Sequence, residues 1–247
     1  MTPAISVMKI GGSVLTGHQA YRRAAAFVGA RLCARPGERI VAVVSAELGV
    51  TDALLAAARE IVEEPEPGAL DLLWSTGELR SAALLALSLQ AIGVKAGAVN
   101  VHQTGLVQPP APASPGTSRL KPLRLRALLS ENDVAVVPGF LACGAGGTIV
   151  SLGRGGSDLT AVLLAAGLGA SRCELLKDVP GYFTADPKRD PDARPLRWLP
   201  YSRALQMADG GCRLVQRRAL EAAQDHSVPL FISAIGQEGG TVVDGEG

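Results

Sequence analysis

The stretch "SLGRGGSDLTAVLLAAGLGA" (residues 151–170) sets Arg-Gly-Gly-Ser-Asp directly in front of an alanine- and leucine-rich run. The glycines read as a turn, and the run that follows reads as a helix over 158–168. Two readings of the junction stand side by side. Ser157 or Asp158 caps the helix, or the helix N-terminus and its glycine loop receive an anion, with Arg154 and Asp158 aimed into it. The short extended run "TIVSL" (148–152) leads into the loop, which makes this a strand–loop–helix unit.

Working outward, the same alternation recurs. Short apolar, β-branched runs at 5–10, 39–46, 94–99, 133–140, 173–179 and 228–234 read as buried strands. Helical patterns fall at 21–34, 51–63, 78–92, 123–130, 158–168, 202–208 and 216–224. Strands separated by helices of this length imply right-handed crossovers and a mostly parallel sheet covered on both faces. Hydrophobic residues make up 47% of the 247 and aromatic residues only 4%, the Ala/Leu/Val bias of helices packed on such a sheet. The Pro- and Ser-rich stretch 108–122 reads as a mobile loop within one domain spanning 1–247, because the alternation continues in the same style on either side.

The totals also exclude classes of function. A formal charge of +1 offers no global field for nucleic acid or an anionic membrane, so any phosphate chemistry depends on a local site. Four separated cysteines and three scattered histidines argue against a metal centre and for buried free thiols in a reducing compartment. No segment reaches the length of a membrane span and the N-terminus has no signal pattern, so a cytoplasmic location is expected.

In open parallel sheets, ligands collect outside the carboxyl ends of the strands, and the unusual polar residues follow strands here. Lys9 precedes "GGS" (Gly11, Gly12, Ser13) at the end of the first strand, where backbone N–H groups and an ammonium can meet an anion. The spacing is not that of a Walker loop. Ser45 ends the second strand, with Thr51 or Asp52 placed to cap the helix after it. "STGEL" (75–79) opens a further helix with Glu78 in its first turn, and Asp178 ends the strand at 173–179.

Set in chain order, "KIGGS", "VVSAELGVTDALL", "STGEL", "VVPGF", "LGRGGSDLTAVLLAAGLGA", "DVPGYFTADP", "PDAR" and "VPLFI" resemble the amino acid kinase family and, within it, the catalytic domain of the aspartate kinases, over residues 5–235. The resemblance implies a three-layer α/β/α sandwich of the carbamate kinase-like kind. About 1–147 would form a substrate-binding lobe and about 148–247 a nucleotide-binding lobe. It implies transfer of the γ-phosphoryl group of ATP, with Mg²⁺, to the side-chain carboxylate of aspartate in a homodimeric enzyme. By the same analogy Lys9 stabilises the moving phosphoryl group and Asp158 orients Lys9 and the metal-bound phosphates. Gly11, Gly12 and Ser13 supply donors. Arg154, Glu78, Ser45 and Ser157 bind the amino acid: Arg154 takes a carboxylate and Glu78 the α-ammonium. The attacking carboxylate is already ionised near neutral pH, so no protein base is required.

The nucleotide segment implied by the resemblance comprises Lys177, Asp178, Phe183, Asp186, Lys188 and Arg213, and it departs from the family pattern. Lys177 stands where aspartate kinases usually have threonine, Phe183 replaces a tyrosine and Lys188 an arginine. Arg213 takes the place of a phosphate-binding lysine, and Gln216 and Arg217 replace a His-Pro pair. Glu47 stands where an uncharged residue is usual, and an acid there either repels a dicarboxylate or faces solvent. Aspartate kinases commonly continue into ACT domains, and none is expected in this chain. Two other readings fit the same residues: the same chemistry on another small carboxylate, or an amino-acid sensor that has lost ATP.

Overall fold

The computed structural model describes residues 3–108, 119–153, 155–187 and 189–245. In chain order the elements are β1 (Ile5–Ile10), α1 (His18–Ala34), β2 (Arg39–Val44), α2 (Val50–Ile61), α3 (Pro67–Gln90), β3 (Ala96–Ala98), β4 (Leu106–Val107), β5 (Arg119–Leu120), α4 (Leu123–Glu131) and β6 (Val134–Pro138). They continue as β7 (Leu141–Cys143), β8 (Ile149–Ser151), α5 (Gly156–Leu168), β9 (Cys173–Lys177), β10 (Trp198–Pro200), α6 (Tyr201–Asp209), α7 (Arg217–Asp225), β11 (Leu230–Ala234) and β12 (Thr241–Asp244).

Eight strands form one sheet in the order β10-β12-β11-β9-β1-β2-β6-β3, and every pairing in it is parallel except β11 with β12. Strand alternation divides the core in two. Val7, Val41, Val43, Ala135, Val137, Cys173 and Leu175 face α5 and its neighbours, while Met8, Ile10, Ile40, Ala42, Val44 and Leu176 face α1 and α3. This is the expected three-layer sandwich. Helix α5 lies under the middle of the sheet with nearly every residue buried, which explains why its sequence is apolar all round.

Several expectations need correcting. The long helix α3 starts at Pro67, where the Glu66 side chain accepts hydrogen bonds from the N–H groups of Gly68 and Ala69, so Glu78 is a mid-helix residue and not a first-turn one. Helix α5 is capped by Gly155 in the left-handed conformation (φ +72°), and neither Ser157 nor Asp158 serves as its cap. Gly49 does the same for α2 in place of Thr51 or Asp52. The run before the glycine loop, β8, belongs to a second, four-stranded sheet, β5-β4-β7-β8, which was not anticipated. Of the four free thiols only Cys173 is fully buried. Arg154 and Lys188, and most of the 108–122 stretch, lie outside the described residues. Among the described residues no helix is long and apolar enough to cross a membrane.

Candidate active site

Lys9 and Lys177 come from adjacent parallel strands. Lys9 pairs in register with Leu175, so the period of two puts the side chains of Lys9 and Lys177 on the same face, at the carboxyl ends and above the first turn of α5. Asp158 projects from that turn. Lys9 Nζ lies 2.9 Å from its Oδ1 and Lys177 Nζ lies 2.7 Å from its Oδ2, with all three side chains largely buried. Burial alone would raise the Asp158 carboxyl, but the charges of Lys9 and Lys177 outweigh it and bring the pKa down to about 2. For Lys177, burial and the neighbouring Lys9 charge pull the ammonium below its ordinary value.

Glu78 reaches the same region from α3. It is almost fully buried and its Oε2 has no hydrogen-bond partner among the described residues, although the carboxylate accepts from the backbone N–H of Ala46. Burial pushes its pKa up to about 8, against the smaller pull of the Ala46 bond and of Lys9. A buried carboxyl with an open acceptor is a receptor for a cation.

The loop after β1 closes over this group. Gly11 is not a free donor, since its N–H already donates to the Leu176 carbonyl at 3.3 Å. The N–H groups of Gly12 and Ser13 make no hydrogen bond within the described residues. Gly12 is required for a packing reason: a Cβ there would lie 2.2 Å from the Ala46 carbonyl oxygen. Gly12→Ala is therefore expected to cost about 1–3 kcal/mol through the forced shift of one backbone against another. The check is the urea midpoint, and an unchanged midpoint would show that the loop does not rest on Ala46.

Other predicted residues take intermediate places. Ser45 is half-buried after β2, its N–H bonded to the Ile10 carbonyl. Ser157 is buried in the first turn of α5 against Gly139, where a Cβ would sit 2.7 Å from that of Ser157. Glu47 neither faces solvent nor stands open to a dicarboxylate: it accepts from Tyr21 Oη at 3.2 Å and pairs with Arg80 at 3.3 Å.

Beside the lysine pair a cleft of about 750 Å³ opens, walled by Asp178, Phe183, Asp186, Arg203 and Arg213 among others. Four of the six nucleotide-segment residues thus share one cavity. Lys177 does not line it, and turns to Asp158 instead. Arg217 points outward to Asp209 and Glu221. Gln216 packs on Gly155, where a Cβ would lie 1.8 Å from its Cγ.

Sequence reasoning missed two supports of the glycine loop. Arg218 donates from Nη1 to the Leu152 carbonyl at 2.5 Å, fixing the strand that enters it. Phe140 holds a positive φ of 69° and packs edge-on against Trp74 of α3, which joins the loop after β6 to the helix carrying Glu78. No periodicity signals either contact.

The sheet and this cluster define an α/β protein with a buried Lys–Asp–Lys group at its strand ends. The model of the amino acid kinase family matches residues 4–233, and the chain belongs to that family. It is 39% identical over 208 residues to an aspartokinase of Thermus thermophilus, covering 84% of this chain and 51% of that one. It is 35% identical over 244 residues to an aspartokinase of Mycolicibacterium smegmatis, covering 98% and 58%. The chain thus spans about half the length of these relatives. The crystal structure of aspartate kinase from Synechocystis superposes with a TM-score of 0.87 at 32% identity, over 98% of this chain and 40% of that one. E. coli aspartokinase III in complex with aspartate and ADP gives 0.80 at 26% identity, over 98% and 65%.

Proposed function

We propose that this chain transfers the γ-phosphoryl group of ATP to the side-chain carboxylate of L-aspartate, giving an acyl phosphate. The observation that carries the reading is the buried Lys9–Asp158–Lys177 group at the strand ends, flanked by the open carboxyl of Glu78 and by the cleft that begins at Asp178. It is supported by the similarity to an aspartokinase whose crystal structure holds aspartate and ADP.

In this reading the residues around Glu78 bind the amino acid, and its ionised carboxyl takes the α-ammonium. The nucleotide occupies the cleft along Asp178, Phe183, Asp186 and Arg213. Lys9 and the N–H groups of Gly12 and Ser13 face the transferring group, where fixed positive charge lowers the barrier between two approaching anions. Lobes of about 1–147 and 148–247 divide amino acid from nucleotide, and the enzyme works as a cytoplasmic homodimer.

Among the described residues no cluster of three His, Cys, Asp or Glu side chains is placed to hold a metal. Mg²⁺ bound mainly by phosphates needs only one or two carboxylates. Asp178, exposed beside the cleft, fits that role, whereas Asp158 has an ammonium on each oxygen. Such an ion would neutralise part of the triphosphate charge.

The test is ATP-dependent hydroxamate formation, with aspartate expected to react and glutamate to remain near background. Turnover of glutamate without aspartate would overturn the substrate, and retained aspartate binding without ATP binding would favour a sensor. A pH dependence follows from Glu78. With a folded-state pKa of about 8 it is protonated at neutral pH in the empty site, and an ammonium binds its ionised form. Aspartate affinity, read by calorimetry, is expected to rise from pH 6 to 8 by up to about tenfold per unit, and Glu78→Gln to weaken it and flatten the slope. For stability the sign is opposite. Between about 4.5 and 8 the folded state keeps a proton that the unfolded chain releases, so stability falls as pH rises.

A further inference from the structure

We propose that Lys177 is a second catalytic cation of this site, which with Lys9 brackets the phosphoryl group in flight; the proposal rests on the phosphoryl-transfer reading above. The resemblance to aspartate kinases leads to threonine at this position and a phosphate-binding lysine at 213. Here the lysine stands at the end of β9, and residue 213 is an arginine exposed on the cleft wall.

Position is the first argument. Lys177 is the last residue of β9, and the next residue, Asp178, is where the wall of the cleft begins. Its ammonium turns to the other side, onto Asp158 at 2.7 Å, sharing that carboxylate with Lys9 at 2.9 Å. Lys177 therefore joins the wall of the cleft, through its neighbour Asp178, to the Lys9–Asp158 pair, and a phosphoryl group passing from cleft to acceptor meets it there.

Charge is the second. Lys9 alone neutralises Asp158, so a partner serving only to balance that carboxylate is superfluous. With Lys177 the trio carries a net charge of about +1, at the N-terminus of a 13-residue helix whose dipole adds to it. Positive charge largely removed from water, beyond what the local carboxylate balances, favours an arriving anion. Asp158 acts as the spacer that holds two ammonium groups apart against their repulsion, one on each oxygen.

The step this serves conserves its atoms and charges. A carboxylate oxygen of aspartate forms a bond to the γ-phosphorus as the bond from that phosphorus to the β–γ bridging oxygen breaks. The electron pair of the broken bond leaves on ADP, and no proton passes to or from the protein. In this proposal Lys9 serves the acceptor side and Lys177, once its ammonium shifts from Asp158 toward the arriving anion, the leaving oxygen, where negative charge grows.

The experiment compares Lys177→Met, Lys177→Arg and Lys177→Thr with wild type in the hydroxamate assay. Threonine is the residue expected from the aspartate kinases, which makes it the variant best suited to the fold. Met and Thr are expected to lower kcat by about 10²-fold with KM for aspartate within about twofold, and Arg to recover at least a tenfold part of the loss. A kcat within about threefold of wild type, or a loss wholly in KM for ATP, overturns the proposal. If wild type makes no hydroxamate from aspartate, the substrate reading fails separately, and the lysine is judged by calorimetry of MgADP with and without aluminium fluoride. Wild type is expected to bind ADP at least about tenfold tighter with the fluoride, and Lys177→Met to lose that gain. An equal gain in both proteins, or none in wild type, overturns the role of Lys177.

Discussion

Lys9→Met is expected to lower kcat by about 10³-fold while the fold survives. The loss follows from where the charge sits. Phosphoryl transfer offers the protein little covalent work, so catalysis comes from positioning and from charge fixed before the reaction begins. Lys9 is buried, carried by a central strand and held on Asp158, so its ammonium needs no reorganisation to meet the transition state. Methionine matches much of its length and volume, and Asp158 keeps Lys177 as a partner, so no carboxylate is orphaned. The measurements are steady-state kinetics and thermal unfolding. A loss confined to KM would make Lys9 a ground-state binder and undo its assigned role. Because both lysines act through one carboxylate, losses in the Lys9→Met, Lys177→Met double variant are expected to fall well short of additive.

The short β10 and β12 at the edge of the main sheet were not read as strands, whereas the other six of its eight were legible because burial on both faces leaves runs such as "RIVAVV" with almost no polar residue. Helix α5 was legible for the same reason. The start of α3 was not. The helix has an exposed face, but Leu72, Ala83 and Leu87 stand on it, so no clean polar stripe marks its phase, and Gly77 resembles a boundary. Gly77 is instead a site of close packing, where a Cβ would meet Val50 and Ala46 at 3.0 and 3.1 Å. The signal of the true start was present, in the acid and proline of Glu66–Pro67. The small sheet escaped notice because its strands are two or three residues long, too short for alternation to register. At the site, Lys9, Glu78 and Asp158 were singled out by resemblance. Their charge states were not legible, since these depend on groups brought together from distant parts of the chain. Lys177 illustrates the difference: in sequence it reads as a substitution in a nucleotide segment, while in the fold it is bonded to the carboxylate that also holds Lys9.

Asp158→Asn is expected to cost about 3–5 kcal/mol of stability at pH 7, more than any other single change considered. The amide keeps the shape of the carboxylate and removes the one charge that two buried ammonium groups share. Their repulsion is then unscreened beside the positive end of α5, and Lys177, whose ammonium is already weakened by burial and by Lys9, is the first to lose its proton. Activity falls with it, because both cations lose the group that aims them. The pH dependence separates this account from a simple packing defect. The folded-state pKa of Asp158, about 2, is below its unfolded value of 3.8, so its stabilisation is complete above about pH 4 and is lost as pH falls through about 2. Wild type and variant are therefore expected to differ fully at pH 7, and their difference to shrink by about 2–3 kcal/mol between pH 4 and 2 in urea unfolding, which is what a shift of that size is worth. A difference that stays constant across that range would mean that shape, and not charge, makes Asp158 necessary. In that case the two lysines are held by the strands alone, and the carboxylate between them is not the spacer that organises the site.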